Sequence, residues 1–218
     1  MSTIDNNTKL SVTNNTDEAV EVYVTFAAEN SENKCCPSPV AVGQFGFLTK
    51  VNDLRGKFTL GANQTQLFDA EGRCFSGNIG FYIPPQCPVA GADFHHGKTG
   101  TSIAEFTLNP SSPCAEAFDI SCVNGVNCFI EVKVEKGLGW SYGPESTPIT
   151  RIYNRGLQEN EGNPGVYPVN CTDCVRLVGD APCPTLPIGP AQSERICNVQ
   201  RSERGGVVQV ILNTPVPA

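Results

Sequence analysis

Residues 97–133, with the sequence GKTGTSIAEFTLNPSSPCAEAFDISCVNGVNCFIEVK, decide the fold. Apolar and polar residues alternate in three short runs, at 102–108, 117–123 and 128–134, which is the two-residue period of a half-buried β-strand. The apolar faces of the first two runs hold Ala104, Phe106, Leu108, Phe118, Ile120 and Cys122. Glu105 and Asp119 lie on the opposite faces, so we expect both carboxylates to point away from the core.

Alternation outside this stretch predicts further strands. Residues 9–13 and 20–26 are expected to form a first hairpin, because the Asn and Asp residues of the 14–17 link favour turns. Other strands are predicted at 57–69, 78–84 and 207–212. The fold class is therefore all-β, a disulfide-stapled sandwich of about ten short strands.

Length and composition agree with this class. The chain has 218 residues, 21 Gly and 17 Pro, which suit one domain (1–218) with many turns between short strands. Residues 137–200 are expected to form a small loop-rich lobe. Within it, the long irregular segment 137–170 is typical of a functional or disordered region.

Charge and hydropathy exclude several classes of partner. The net charge is −7 and no Lys/Arg cluster is present, so we expect no nucleic-acid partner. No apolar run reaches the length of a membrane-spanning helix, and an acidic surface does not favour anionic lipids. We expect a monomer.

Cysteine usage indicates an oxidising compartment. The eleven cysteines are Cys35, Cys36, Cys74, Cys87, Cys114, Cys122, Cys128, Cys171, Cys174, Cys183 and Cys197. This number favours about four or five disulfides in an exported protein, and the odd count leaves at least one thiol unmatched within the chain. Adjacent cysteines rarely bond each other, so we expect Cys35 and Cys36 to be pinned to other parts of the chain.

The start of the chain bears on localisation. Residues 1–5 show neither a basic nor an apolar region of a signal peptide. Four Asn-x-Ser/Thr sequons, at Asn6, Asn14, Asn63 and Asn170, are typical of a secreted surface. We favour the mature form of an extracellular protein carrying an added Met over two alternatives, export by another route and thiols that stay reduced.

Two motifs within the deciding stretch resemble a known family. Residues 104–109 read AEFTLN, and 118–121 and 123–127 read FDIS and VNGVN, similar to the AEFTLN…YDVSLVDGFN segment of thaumatin-like proteins. Cysteine-rich segments at 171–174 and 183–187 are similar to the family's CTADI and CP segments, but the disulfide-rich second lobe is shortened here. The resemblance implies a thaumatin-like sandwich with a reduced second lobe.

The resemblance also implies a binding surface. Family members line an acidic cleft with one Arg, one Glu and three Asp, and this cleft is linked to β-1,3-glucan binding or weak hydrolysis. Glu105 and Asp119 match two of those acids, whereas Asn124 replaces a third and Lys98 lies about where the Arg would be. Because like charges on an exposed face seldom have the shifted pKa that catalysis needs, we favour a solvated acidic patch over a catalytic pair.

Other candidate sites are weaker. His95 and His96 are interpreted as loop-surface residues, because no nucleophile motif accompanies them. A single Cys-x-x-Cys at 171–174 favours disulfides over zinc, so we expect no metal and no cofactor. If 124–125 forms a two-residue hairpin turn, Cys122 and Cys128 lie on opposite faces and bond elsewhere.

Aromatic side chains add one more possibility. Trp140, Tyr142 and Tyr153 could stack on sugar rings near the acids, although loop aromatics more often cap a core edge.

These observations lead to one expected function and two alternatives. We expect a secreted, non-enzymatic protein of the defence or antagonism type that binds a cell-wall or surface glycan through Glu105, Asp119, Lys98 and Asn124. One alternative is a weak endo-β-1,3-glucanase that uses the two acids. The other is an insecticidal or pore-forming toxin, and only that function involves membrane contact.

Overall fold

The computed structural model describes residues 6–82, 103–121, 128–134, 139–142, 147–148, 150–154, 174–176 and 199–213. These residues contain fifteen strands, a 3-10 turn at Val42–Gln44 and no α-helix. The strands are β1 (Lys9–Asn15), β2 (Val20–Phe26), β3 (Thr49–Asn52), β4 (Arg55–Leu60), β5 (Thr65–Phe68), β6 (Phe75–Tyr82), β7 (Ile103–Leu108), β8 (Glu116–Ser121), β9 (Phe129–Val134), β10 (Ser141–Tyr142), β11 (Thr147–Pro148), β12 (Arg151–Asn154), β13 (Cys174–Arg176), β14 (Val199–Arg201) and β15 (Val207–Asn213). No helix among them is long and apolar enough to cross a membrane.

The strands form two sheets that share one core. The six-stranded sheet has the order β13-β12-β9-β15-β1-β5, and the nine-stranded sheet has the order β11-β10-β14-β8-β7-β6-β2-β4-β3. Alternate residues of both sheets, such as Val12 and Ile130 on one side and Val24 and Phe106 on the other, pack in a single buried cluster. The all-β, disulfide-linked sandwich expected from the sequence is confirmed, with more strands than the expected ten.

The first predicted hairpin is wrong. β1 pairs with β15 and β5 in one sheet, whereas β2 pairs with β4 and β6 in the other, so the chain crosses the sandwich between them. The buried Asn14 side chain stabilises this crossing by donating to the carbonyl of Glu18 at 2.7 Å and to those of Leu60 and Gly61 at 3.1 Å. The backbone ladders that a hairpin would supply are made instead by β15 and β5 for β1, and by β4 and β6 for β2.

Two other predicted connections also cross between the sheets. The run 57–69 consists of two strands, β4 in the nine-stranded sheet and β5 in the six-stranded sheet. Likewise β8 and β9 belong to different sheets, so they do not form the two-residue hairpin considered for the Asn124-Gly125 turn. The turn itself and Cys122 lie outside the described residues, while Cys128 is buried.

The adjacent cysteines pair elsewhere, as predicted. Cys35 bonds Cys114 and Cys36 bonds Cys74, so two disulfides hold one irregular segment against the starts of β8 and β6. Their presence is consistent with an oxidising, extracellular environment. The predicted disulfides of Cys87, Cys122, Cys171, Cys183 and Cys197 lie outside the described residues.

The predicted irregular segment 137–170 is partly regular. It contributes β10, β11 and β12, with β12 paired to β9. The remaining positions of this segment, and most of the expected lobe at 137–200, lie outside the described residues.

A glycine fixes how closely β2 and β6 approach. Phe26 stands opposite Gly77 in this pair, and a Cβ at Gly77 would lie 2.0 Å from the carbonyl oxygen of Thr25. Phe26 also stacks on Phe75, with ring centroids 5.7 Å apart, so aromatic packing holds the same pair on the core side. The neighbouring residue Asn78 is thereby placed beside Thr25 on the other side of the sheet.

Asp69, just after β5, is held by three donors and makes stability depend on pH. Lys9 Nζ lies 2.9 Å from Oδ2, while Asn7 Nδ2 and the Glu71 backbone N–H donate to Oδ1 at 2.7 and 2.8 Å. These bonds, that from Lys9 foremost, lower the pKa of Asp69 to about 2. Because the folded pKa lies below the unfolded value of about 4, the contribution to stability is present above pH 4 and is lost as pH falls towards 2.

We therefore expect Asp69→Asn to lower the free energy of unfolding by about 1 kcal/mol at pH 5, a value reduced for the screening of this partly exposed side chain. The difference from the parent protein should shrink to near zero by about pH 2. Urea unfolding between pH 2 and 5 measures it, with Asp17→Asn in an exposed turn as the control. If the free energies of unfolding of the parent and Asp69→Asn differed by the same amount at every pH, the lowered pKa of Asp69 would be contradicted.

Candidate functional site

Five adjacent strands place one polar residue each in a single line across the nine-stranded sheet. Register pairs join Arg55 to Thr25, Thr25 to Asn78, Asn78 to Glu105, and Glu105 to Asp119. We call these five residues the polar row. Neighbouring strands are about 4.8 Å apart, so the row is a straight series of side chains about 19 Å long.

The polar row lies on the face of the sheet that points away from the core. Ala104 and Phe106, on either side of Glu105, and Phe118 and Ile120, on either side of Asp119, all belong to the core cluster. The predicted orientation of both acids is therefore confirmed. The expected solvated patch is not observed, because Asp119 is only 8% exposed, and Glu105 is intermediate in exposure.

Arg55 supplies a cation that sequence reasoning assigned to Lys98. Arg55 is 3% exposed and its Nε donates to Thr25 Oγ1 at 3.4 Å. Lys98 and Asn124 lie outside the described residues. The sequence did indicate that Arg55 faces outward, because Arg55, Lys57 and Thr59 alternate with the apolar residues of β4. Arg55 is 50 residues away from Glu105 along the chain, so its place beside the acids was not predicted.

Asn78 occupies the middle of the polar row and was also missed. Its side chain is 4% exposed, and its Oδ1 atom is buried with no hydrogen-bond partner. Leaving such an acceptor unsatisfied costs about 1–3 kcal/mol. In register, Asn78 stands between Thr25 and Glu105, so this unsatisfied acceptor lies in the middle of the polar row.

An aromatic cluster lies on the same face beside the polar row. Tyr23 and Ile103, which flank Gly80 in register, form a small buried cluster against which the partly exposed Tyr82 packs. Gly80 separates Tyr82 from Asn78 along β6, so a flat aromatic surface stands next to the row.

Charged partners hold the Tyr23 hydroxyl. Lys57 Nζ lies 2.7 Å from Glu21 Oε2, and the Tyr23 hydroxyl donates to the other oxygen of Glu21. Burial raises the pKa of Glu21, but hydrogen bonds from Lys57 and Tyr23 outweigh burial, so this pKa lies below its ordinary value. Burial and the bond to Glu21 raise the pKa of Tyr23, which therefore stays protonated and neutral at physiological pH.

Two other aromatic candidates, Trp140 and Tyr153, do not lie on the face that carries the polar row. Trp140 is 3% exposed and packs in the core against Phe118, with ring centroids 4.8 Å apart, so it follows the favoured alternative of core packing and is not available to stack on a sugar. Tyr153 lies on β12 in the six-stranded sheet. His95 and His96 lie outside the described residues, and within the described parts no group of three or more His, Cys, Asp or Glu could hold a metal ion.

Sequence reasoning also missed a buried ion pair next to the site. Arg201 Nη2 lies 2.7 Å from Glu116 Oε2, and both side chains are 1% exposed. Thr8 and Asn109 complete the bonding of the carboxylate. The sequence held an indication of this pair, because alternation places the charged Glu116 on the same apolar strand face as Phe118.

Comparison with known proteins finds one kind of likeness. No protein-family model matches the chain, and no curated protein matches it. Among solved structures, the thaumatin-like xylanase inhibitor TLXI is 11% identical in sequence, with a TM-score of 0.45, over 94% of this chain and 99% of that chain.

Proposed function

We propose that this chain is an exported, non-enzymatic carbohydrate-binding protein, a divergent thaumatin-like protein whose ligand lies on the polar row. The observation that carries the proposal is the cross-strand pair of acids, Glu105 and Asp119, on the outward face of the sheet, with Glu105 partly exposed. The AEFTLN and FDIS motifs contribute the two acids, and the disulfides agree with an extracellular location.

The chemistry of the polar row suits sugar hydroxyls. Carboxylates and an amide oxygen accept hydrogen bonds from neighbouring hydroxyls, and the Arg55 guanidinium donates only. Bonds to charged groups are about twice as strong as neutral ones, so Glu105 and Asp119 are the anchors. Tyr82, partly exposed on the same face, offers a flat apolar surface on which the C–H face of a sugar packs.

A hydrolytic role for the same acids is the second candidate. Glu105 and Asp119 are directly opposed on antiparallel strands, where Cβ atoms are about 5 Å apart, and a retaining glycosidase uses two neighbouring carboxyl groups about 5–5.5 Å apart. Release of reducing sugar from β-1,3-glucan, abolished by Glu105→Gln, would identify a hydrolase. Binding without release at any pH supports the non-enzymatic proposal.

We expect Glu105→Gln and Asp119→Asn each to weaken glycan binding by about tenfold to a hundredfold, because each removes one charge-assisted bond worth about 1.5–3 kcal/mol. A glycan array with the parent protein selects the ligand, and isothermal titration calorimetry then measures the dissociation constants.

Glu32→Gln, an exposed acid outside both sheets, is the matched control and should bind like the parent protein. Parent affinity in both row variants, or no glycan bound by the parent, would overturn the proposal.

A further inference from the structure

The outward face of the six-stranded sheet carries a second line of polar side chains. Register pairs join Ser11 to Gln209, Gln209 to Lys133, and Lys133 to Arg151. We call these four residues the cationic row. Its strands β1, β15, β9 and β12 all lie inside the sheet, so their backbones are already paired on both sides.

Two cations in this row stand directly opposite each other. Lys133 and Arg151 are cross-strand partners, an arrangement that is destabilising for like charges unless something offsets it. Glu131 lies between them, with Oε1 3.1 Å from Arg151 Nε and 3.4 Å from Lys133 Nζ. One carboxylate balances one of the two charges, so the site keeps one excess positive charge in a chain of net charge −7.

Neither Lys133 nor Arg151 donates a hydrogen bond to Glu131. Its Oε1 atom is buried and accepts no hydrogen bond, although both nitrogens are within ion-pair distance. The other oxygen, Oε2, is held by Asn213 Nδ2 at 2.7 Å. Lys133 and Arg151 side chains are 43% and 38% exposed, so their N–H groups are accessible to a ligand.

Ser11 extends the row with a further unused group. It is 3% exposed, and its Oγ has no hydrogen-bond partner. The exposed Gln209 separates it from Lys133, so hydroxyl, amide, ammonium and guanidinium groups follow one another over about 14 Å.

We propose that the cationic row binds an acidic polysaccharide, with a sugar carboxylate on Lys133 and Arg151 and a sugar hydroxyl on the exposed Gln209. A single excess charge suits a monoanionic carboxylate, which Arg binds through parallel N–H bonds. An acidic peptide is disfavoured, because an extended peptide gains affinity from backbone bonds at a sheet edge and this row offers side chains only.

Calorimetric titration of the full chain with oligogalacturonate tests the proposal. Binding is expected to weaken as salt rises, and Arg151→Gln should reduce affinity about tenfold or more. Removing the cations alone leaves the buried Glu131 carboxylate without a counter-charge, which destabilises the fold. The triple variant Glu131→Gln, Lys133→Gln, Arg151→Gln therefore removes all three charges together. It should fold and lose oligogalacturonate binding, while Lys50→Gln, an exposed lysine of the other sheet, keeps it.

Three further ligands decide the outcome. Methyl-esterified oligogalacturonate, which lacks the charge, should bind at least tenfold more weakly, and equal binding would overturn the proposal. Polyglutamate binding more tightly than oligogalacturonate would overturn the assignment to a polysaccharide, as would parent affinity in the triple variant. The glycan that depends on Glu105 should bind the triple variant normally, so failure at one row is distinguishable from failure at the other.

Discussion

Replacing Arg201 by Met is expected to lower the free energy of unfolding by about 3–5 kcal/mol, a large part of the stability of a domain. Arg201 and Glu116 are register partners on β14 and β8, and their side chains meet in the interior. The Arg201 guanidinium carbon lies 4.3 Å from the centroid of the Trp140 ring, so Met also loses a cation–π contact while it keeps most of the apolar stem.

The physical reason is a carboxylate left buried without its cation. Glu116 keeps the Thr8 hydroxyl at 2.9 Å and the Asn109 N–H at 2.7 Å, and these neutral donors do not replace a charge. The Gly205 carbonyl and the Thr8 hydroxyl also lose the guanidinium that donates to them at 2.6 and 2.9 Å. The start of β1 is therefore loosened as well.

Urea unfolding followed by circular dichroism measures the loss. Adding Glu116→Gln to Arg201→Met removes the uncompensated charge, so the double variant should be more stable than Arg201→Met alone. Arg73→Met, at an exposed turn position, is the matched control and should change stability by less than about 0.5 kcal/mol. A loss below about 1 kcal/mol in Arg201→Met would contradict the structure of the pair.

Strand positions were predictable because alternation is a local property. The runs 102–108, 117–123 and 128–134 contain β7, most of β8 and β9, and the apolar face given by alternation is the face that packs in the core. Which strands pair with each other was not predictable in the same way, because pairing depends on contacts between residues that are distant in sequence. The Asn14–Asp17 link has turn residues, yet the Asn14 amide bonds a carbonyl of β4 that is remote in sequence, and this sends the chain to the other sheet.

Half of the candidate site followed from the sequence and half did not. Glu105 and Asp119 lie in neighbouring strands of one motif, so their proximity was readable. Arg55 and Asn78 join them only because the sheet order β8-β7-β6-β2-β4 brings distant segments side by side. Residue type alone does not encode that order, since strand alternation fixes faces but leaves neighbours open.

Changing Cys35 and Cys114 to Ala is expected to cost about 4 kcal/mol, the second of the two largest effects. The disulfide spans 79 residues, of which the intact Cys36–Cys74 bond bridges 38, so the loop released has about 41 residues and chain entropy predicts about 4 kcal/mol. The Cys36–Cys74 loop spans 38 residues, for which about 4 kcal/mol is expected. Both bonds hold the irregular segment after β2.

The two disulfides differ in burial, so comparing their removal distinguishes the lost constraint on the unfolded chain from lost packing in the folded protein. Cys35 and Cys114 are half-buried, so their removal leaves little cavity and reports mainly the lost cross-link. Cys36 and Cys74 are 2% and 8% exposed, so their change to Ala adds a cavity to the lost cross-link.

Urea unfolding without reductant distinguishes the two origins. A cross-link that acts on the unfolded chain restricts the surface exposed on unfolding, so the slope of free energy against urea should rise when either pair is removed. Native circular dichroism should stay unchanged for Cys35→Ala with Cys114→Ala, because the Ser111 N–H still bonds the carbonyl of residue 35 at 2.7 Å and holds the segment locally. Unchanged stability and slope in that variant would mean that these two cysteines are not joined in the folded protein.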